Sequence, residues 1–250
     1  MKKRKSFLIT GATSGVGHAL TKRLVKEGHE VWATGRATDI LWTLQNEGAH
    51  TIPADLSEKE GLDFVMKKIG SPDVVIFSAG VGTFQYAHEL SDETTRKTMD
   101  INVVAPIELT KRLLPDMMAR KSGHLIYLGS QAGKVATPKA SVYAASKHAL
   151  LGYANALRME VAPFGIHVTT INPGPIDTPF LDLADETGNY RKSLSKHLLT
   201  VGTVVDSVMQ SIEKPVREVN QPWYMGITSK LHALAPTLVE RLGRNFFMKK

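Results

Sequence analysis

The chain has 250 residues, 31 Lys and Arg against 24 Asp and Glu for a formal net charge of +7, 42% hydrophobic residues and no cysteine. Six of the positive charges lie in two terminal strings, Lys2-Lys3-Arg4-Lys5 and Lys249-Lys250, so the body is nearly neutral and lacks the basic stripe that nucleic-acid binding requires. Absent cysteine excludes disulfide frameworks, zinc–thiolate sites, iron–sulfur clusters and thiol nucleophiles, and the apolar fraction suffices for one compact core.

The N-terminal basic string is followed only by Phe7-Leu8-Ile9 before Thr10-Gly11, too short an apolar run for a signal peptide. No apolar stretch approaches the roughly 20 residues of a membrane-spanning helix. The expectation is a cytoplasmic protein, at most peripheral to a membrane.

In chain order, short apolar runs alternate with longer segments of helical period, which predicts an α/β fold: a doubly wound parallel sheet of about seven strands with helices on both faces. Strand Phe7–Thr10 precedes helix Val16–Lys26, strand Val31–Thr34 precedes helix Asp39–Glu47, and strand His50–Ala54 precedes helix Ser57–Ile69. Strand Val74–Ser78 is followed by one long helix, Asp92–Met118, then by strand Leu125–Gly129, helix Val142–Val161 and strand Val168–Asn172. The strands lack polar alternation, as expected where helices cover both faces. Residues 179–199 show no clear period and are expected to form a mobile loop or substrate lid. Helix Thr203–Ile212 comes next, and Trp223–Met225, after Pro222, is expected as an edge strand. The whole chain, 1–250, reads as one domain.

After Pro236, Leu238, Leu242 and Phe246 recur every four residues with Arg241 and Arg244 between them, predicting an amphipathic helix over 236–250. A basic amphipathic helix can lie on an anionic membrane. The favoured expectation is that its stripe packs on the protein's own body or on a second subunit. The Phe246-Phe247-Met248 cluster is expected in a core or interface.

The first strand runs into Thr10-Gly11-Ala12-Thr13-Ser14-Gly15-Val16-Gly17 and then a helix. Glycines there allow a tight turn and let a pyrophosphate approach the helix N-terminus, where free N–H groups and the helix dipole favour negative charge. Tyr143 and Lys147 stand one turn apart on one helix face, and Ser130 lies just past a strand end, where open α/β sheets bind ligands. A phenol with a pKa near 10 needs a nearby cation to exchange protons at neutral pH, and an ammonium one turn away can supply it. The nine histidines show no metal-ligand spacing.

Together Thr10-Gly11-xxx-Gly15-x-Gly17, Asn102, Ser130, Tyr143-xxx-Lys147 and Pro173-Gly174-xxx-Thr178 resemble the short-chain dehydrogenase/reductase family, over about residues 7–178. The resemblance implies an oxidoreductase that moves a hydride between a nicotinamide cofactor and the carbonyl or alcohol group of a small molecule. It casts Tyr143 as general acid/base, Lys147 as lowering the tyrosine pKa and bonding the nicotinamide ribose, Ser130 as polarising the carbonyl, and Asn102 as holding a water in the proton relay. It places the cofactor against Gly11, Thr13, Ser14, Gly15, Val16, Gly17, Asp55, Leu56, Ser78, Ala79, Gly80, Tyr143, Lys147, Pro173, Gly174, Ile176 and Thr178, with Asp55 at the adenine amine and Thr178 at the carboxamide. Ser78-Ala79-Gly80 departs from the family's Asn-Ala-Gly, so one side-chain hydrogen bond replaces two.

The turn after the second strand offers Arg36 and no carboxylate, which favours NADP(H) over NAD(H) because a guanidinium fork suits a 2′-phosphate. Val81, Gln131 and Val135 are expected to line the cleft. The resemblance implies a homodimer or homotetramer built on the helices from Asp92 and Val142. A non-catalytic NADP(H)-binding sensor on the same fold is the competing expectation, distinguished by whether Tyr143 and Lys147 turn substrate over.

Overall fold

The computed structural model describes residues 4–195 and 197–243. Its strands and helices run β1 (Ser6–Thr10), α1 (Gly15–Lys26), β2 (Glu30–Gly35), α2 (Thr38–Asn46), β3 (His50–Pro53), α3 (Lys59–Lys68), β4 (Val74–Phe77), α4 (Asp92–Met99), α5 (Ala105–Ala119), β5 (Gly123–Leu128), α6 (Ser141–Val161) and β6 (Ile166–Pro173). They continue through α7 (Phe180–Ala184), α8 (Asn189–Leu194), α9 (Val201–Glu213), β7 (Glu218–Gln221), α10 (Trp223–Leu234) and α11 (Pro236–Leu242). One seven-stranded sheet has the order β3-β2-β1-β4-β5-β6-β7, and every neighbouring pair is parallel.

The alternation of side chains along each strand splits the core into two layers. Phe7, Ile9, Val74 and Ile76 point to one face and pack with Leu20 and Leu24 of α1 and Val204 and Val208 of α9. Leu8, Val75 and Phe77 point to the other, against Val65 of α3, Leu109 and Leu113 of α5, and Leu150 and Leu157 of α6. Each such buried side chain contributes about 1.5–3 kcal/mol, which is why strands without polar alternation are stable here. The chain steps outward from β1 to β3 and returns to β4, so the strand order reverses between β1 and β4 and opens a crevice at their C-terminal ends.

Six strands lie within two residues of their predicted positions, and the seventh corrects the sequence reading. Trp223–Met225 is the first turn of α10, and the edge strand is Glu218–Gln221 instead. That strand, Glu-Val-Asn-Gln, pairs with β6 alone and is only half-buried, so its location never required the apolar run by which the others were recognised. The expected long helix Asp92–Met118 is two helices joined by a π-helical turn at Asp100–Val104.

Residues 179–199 are not structureless. They hold α7 and α8, and Arg191 gathers them by bonding Asp177, the Asp182 carboxylate at 2.7 Å and the Thr178 carbonyl at 2.6 Å. Among the described residues no helix is long and apolar enough to cross a membrane. Leu238 and Leu242 do not pack on the protein's own body but are exposed, contrary to the first of the two favoured expectations. Lys2 and Lys3, and Arg244, Phe246, Phe247, Met248, Lys249 and Lys250, lie outside the described residues.

Candidate active site

Thr10, at the end of β1, ties the two sides of the crevice together. Its buried hydroxyl accepts hydrogen bonds from the Ser78 and Ala79 N–H groups, both at 3.1 Å. This bridge belongs to Thr10, so the serine at position 78 does not have to supply it. Thr10→Val leaves a half-buried N–H without its acceptor, and a loss of about 1–3 kcal/mol in stability is expected. Thermal denaturation checks this, and an unchanged Tm would show that the bridge adds nothing.

Gly11 follows with φ +66°, a left-handed conformation that disfavours a side chain, and a Cβ there would lie 2.7 Å from the Ala79 Cα. A Cβ on Gly17 would lie 2.4 Å from the Gly11 carbonyl oxygen. The Thr13 side chain fills the space over Gly35, which joins the glycine turn to the end of β2. Ser14 precedes α1 in extended conformation without capping it through its side chain, the first turn holds no acid, and Val16 is buried in the core. The first N–H groups of α1 therefore keep their capacity for an anion.

At the end of β5, the Ser130 hydroxyl accepts from the Ala132 N–H at 3.0 Å. Tyr143 and Lys147 rise from α6 one turn apart, with the ammonium 5.9 Å from the Tyr143 ring centroid. Lys147 is buried and donates to the Leu128 carbonyl at 2.8 Å. Burial pulls its pKa down from 10.5 to about 8. Burial pushes the Tyr143 phenol up, and the Ser130 side chain offsets this only in part. The net displacement of the phenol is upward because desolvation of the phenolate dominates.

Asn102 sits in the π-helical turn. Its side chain accepts from the Val81 N–H at 2.9 Å and donates to the Val81 carbonyl at 2.8 Å and to Ser146 Oγ at 2.9 Å. That clamp, made by the side chain, fixes the chain just after β4. Pro106, four residues on, has no N–H with which to make the α-helical bond to the Asn102 carbonyl. A Cβ on Gly80 would lie 3.4 Å from Asn102 Oδ1 and 3.6 Å from Lys147 Nζ, so these three residues converge.

Arg36 stands half-exposed beyond β2, 3.7 Å from the Asp55 carboxylate. Burial raises the Asp55 pKa, but two hydrogen bonds from Ser57 and the charges of Arg36 and Lys97 outweigh it and the net displacement is downward. Leu56 is buried in the core. Thr178 is also buried, and its methyl would lie 3.2 Å from a Cβ on Gly15, so the glycine turn and the segment after β6 face each other. Pro173 ends β6, the Gly174 N–H donates to the Gln221 carbonyl at 2.6 Å, and Ile176 pairs with Leu199.

The Gln131 side chain donates to the Asn172 carbonyl at 2.7 Å and to Asn220 Oδ1 at 3.0 Å, so it braces the C-terminal ends of β6 and β7. Val135 is half-buried, its N–H bonded to the Gln131 carbonyl. Phe84, Phe180 and Tyr190 surround Tyr143, with ring centroids 6.0 Å apart for Phe84–Tyr143, 5.6 Å for Tyr143–Phe180 and 5.0 Å for Phe84–Tyr190. Sequence reasoning missed Phe84 and Tyr190; the available signal was an aromatic residue shortly after Ser78-Ala79-Gly80 and another in the segment after Thr178.

Residues 5–188 match the model of the short chain dehydrogenase family. The chain is 31% identical over 253 residues to dehydrogenase/reductase SDR family member 7B of Xenopus laevis, covering 92% of this chain and 78% of that protein. It is 30% identical over 220 residues to an uncharacterised oxidoreductase of Staphylococcus epidermidis, covering 85% and 93%. Among solved structures, a serine dehydrogenase in closed form complexed with NADP+ superposes with a TM-score of 0.82 at 26% identity, covering 86% of this chain and 94% of that one. A 4-hydroxyisoleucine dehydrogenase complexed with NADH gives a TM-score of 0.79 at 25% identity, covering 87% and 96%. Motif, topology and extent of likeness agree that the chain belongs to the short-chain dehydrogenase family of oxidoreductases.

Proposed function

We propose that the chain interconverts a ketone or aldehyde with the corresponding alcohol on a small molecule, using NADP(H) in preference to NAD(H), with Tyr143 as general acid/base. The observation that carries this reading is the meeting of the Tyr143 phenol and the Ser130 side chain at the end of β5, with the buried Lys147 one helical turn on.

The residues present fit a dinucleotide. Gly11 and Gly17 are packed so closely that only glycine fits, and the α1 N-terminus behind them has neither side-chain cap nor acid. Gly11, Thr13, Ser14, Gly15, Val16 and Gly17 would hold the pyrophosphate, Asp55 and Leu56 the adenine side, and Ser78, Ala79 and Gly80 the middle of the cofactor. Pro173, Gly174, Ile176 and Thr178 would hold the nicotinamide end. When bound, the cofactor supplies or accepts the hydride.

The chain's own residues do the rest. Ser130 and Tyr143 hold the substrate oxygen, and Tyr143 Oη gives it a proton in reduction or takes one in oxidation. The Lys147 ammonium offsets the negative charge left on the phenol oxygen. The Asn102 carbonyl holds the water through which the proton is replaced. Phe84, Phe180 and Tyr190 exclude bulk water around the phenol and favour a substrate with an apolar part. NADPH consumption with a carbonyl panel tests the reading, and cofactor binding without turnover by the wild type would replace it with a binding protein.

Cofactor preference rests on Arg36. Its 3.7 Å contact with Asp55 is long and half-exposed, so little holds the guanidinium back from a 2′-phosphate. NADPH is expected to support turnover much better than NADH, and Arg36→Ala to shrink that ratio by about ten- to a hundredfold. Steady-state kinetics with both cofactors decides it, and equal efficiency in the wild type would sink the preference. A homodimer or homotetramer through α4, α5 and α6 is proposed with it; Met159 of α6 is exposed in the single chain.

A further inference from the structure

α10 is amphipathic with its faces exchanged. A helix lying on a protein body normally turns its apolar stripe inward. Here the fully buried residues of the helix are the small Gly226 and Ser229, and a Cβ on Gly226 would lie 3.1 Å from the Asn220 side chain on β7. The outward face carries Trp223, Ile227, Leu231 and Leu234, spaced four, four and three residues apart, which are 74%, 52%, 53% and 84% exposed. On α11 Leu238 and Leu242 continue it at 58% and 80% exposed. Scattered single apolar residues on a surface need no explanation, but a stripe over two consecutive helices marks an interaction site.

The charges select the partner. From Trp223 to Lys250 the sequence has five basic residues, Lys230, Arg241, Arg244, Lys249 and Lys250, against one acid, Glu240. Lys230 lies within the apolar stripe and Arg241 beside Leu242, and both are exposed. A second copy packed on this face would bring together two patches of the same net positive charge, which is unfavourable. A partner of negative charge is complementary. Side chains that protrude this far, with Trp223 and Tyr224 at one end, fit a yielding apolar layer beneath anionic headgroups.

We infer that the outward face of α10 and α11 docks the protein on an anionic lipid bilayer. This overrides the expectation that the C-terminal stripe is covered by the protein itself. Met225, on the inward side of α10, lies against the turn at Gly174, its Sδ 3.2 Å from where a Cβ on that glycine would stand, so α10 adjoins the segment after β6.

The test is co-sedimentation of the full chain with vesicles of phosphatidylcholine containing phosphatidylserine, and with vesicles of phosphatidylcholine alone. The expected result is pelleting with the anionic vesicles only, weakened by salt. Both the triple variant Leu231→Gln, Leu234→Gln, Leu238→Gln and the double variant Lys230→Glu, Arg241→Glu are expected to lower vesicle affinity about tenfold or more. Circular dichroism, melting and sedimentation velocity of both variants are expected to match the wild type. Wild type that stays in the supernatant with anionic vesicles would overturn the inference, as would variants that pellet equally. A wild-type oligomer that the triple variant converts to monomers would assign the face to a second copy instead.

Discussion

Tyr143→Phe is expected to lower kcat/KM for carbonyl reduction by about 10²- to 10⁴-fold, the range contributed by a positioned general acid. The substitution removes only the hydroxyl, so the ring contacts with Phe84 and Phe180 persist. Cofactor affinity and thermal stability should therefore stay at wild-type values. Because the phenol pKa is raised, the donor form of Tyr143 is fully populated at neutral pH. The group that titrates in the working range is Lys147, at about 8. Reduction is expected to decline as pH rises through about 8, when the ammonium that offsets the phenolate loses its charge. A pH–rate profile of the wild type checks this; activity undiminished up to pH 10 would show that the charge of Lys147 is not needed.

The second large effect concerns the same lysine. Lys147→Met should remove most activity and abolish the decline near pH 8, and it should also change how stability depends on pH. The folded-state pKa of about 8 lies below the ordinary 10.5, so the unfolded chain binds the proton more tightly. Below pH 8 the folded wild type carries the full cost of a buried ammonium, and between pH 8 and 10.5 that cost disappears. A displacement of this size corresponds to roughly 3 kcal/mol. Relative to Lys147→Met, the wild type is expected to gain stability by up to that amount as the pH rises past 10.5. Denaturant unfolding of both proteins at pH 7 and at the alkaline end measures the difference. Parallel pH dependence in the two would mean that Lys147 carries no desolvation cost.

Burial adds to the tyrosine reading what spacing could not supply. A spacing of four places Tyr143 and Lys147 on one helix face, and the structure keeps them there. Spacing says nothing about how much water surrounds either group. Once α6 packs on β5, Lys147 has the Leu128 carbonyl as its hydrogen-bond partner, and both groups are displaced toward their neutral forms. Asn102 is a similar case: sequence placed it at the site, but only the fold shows its side chain clamped on Val81 and Ser146.

The alternation of apolar runs with helical segments determined the parallel sheet, because a strand covered on both faces must be apolar throughout and a crossover helix must be amphipathic. The glycine turn, Ser130, Tyr143 and Lys147 were legible for a related reason: tight backbone approach and one-turn spacing are local requirements. Tertiary structure alone decided what depends on neighbours distant in sequence. Edge strand β7 escaped notice because pairing on one side needs little burial. Phe84 and Tyr190 meet Tyr143 only because three separate segments converge on it. The sequence showed an amphipathic segment over 236–250, but the helix before it, α10, and the side it turns to the protein were settled by packing, where small residues at Gly226 and Ser229 lie close to β7 and the apolar side is left to the solvent.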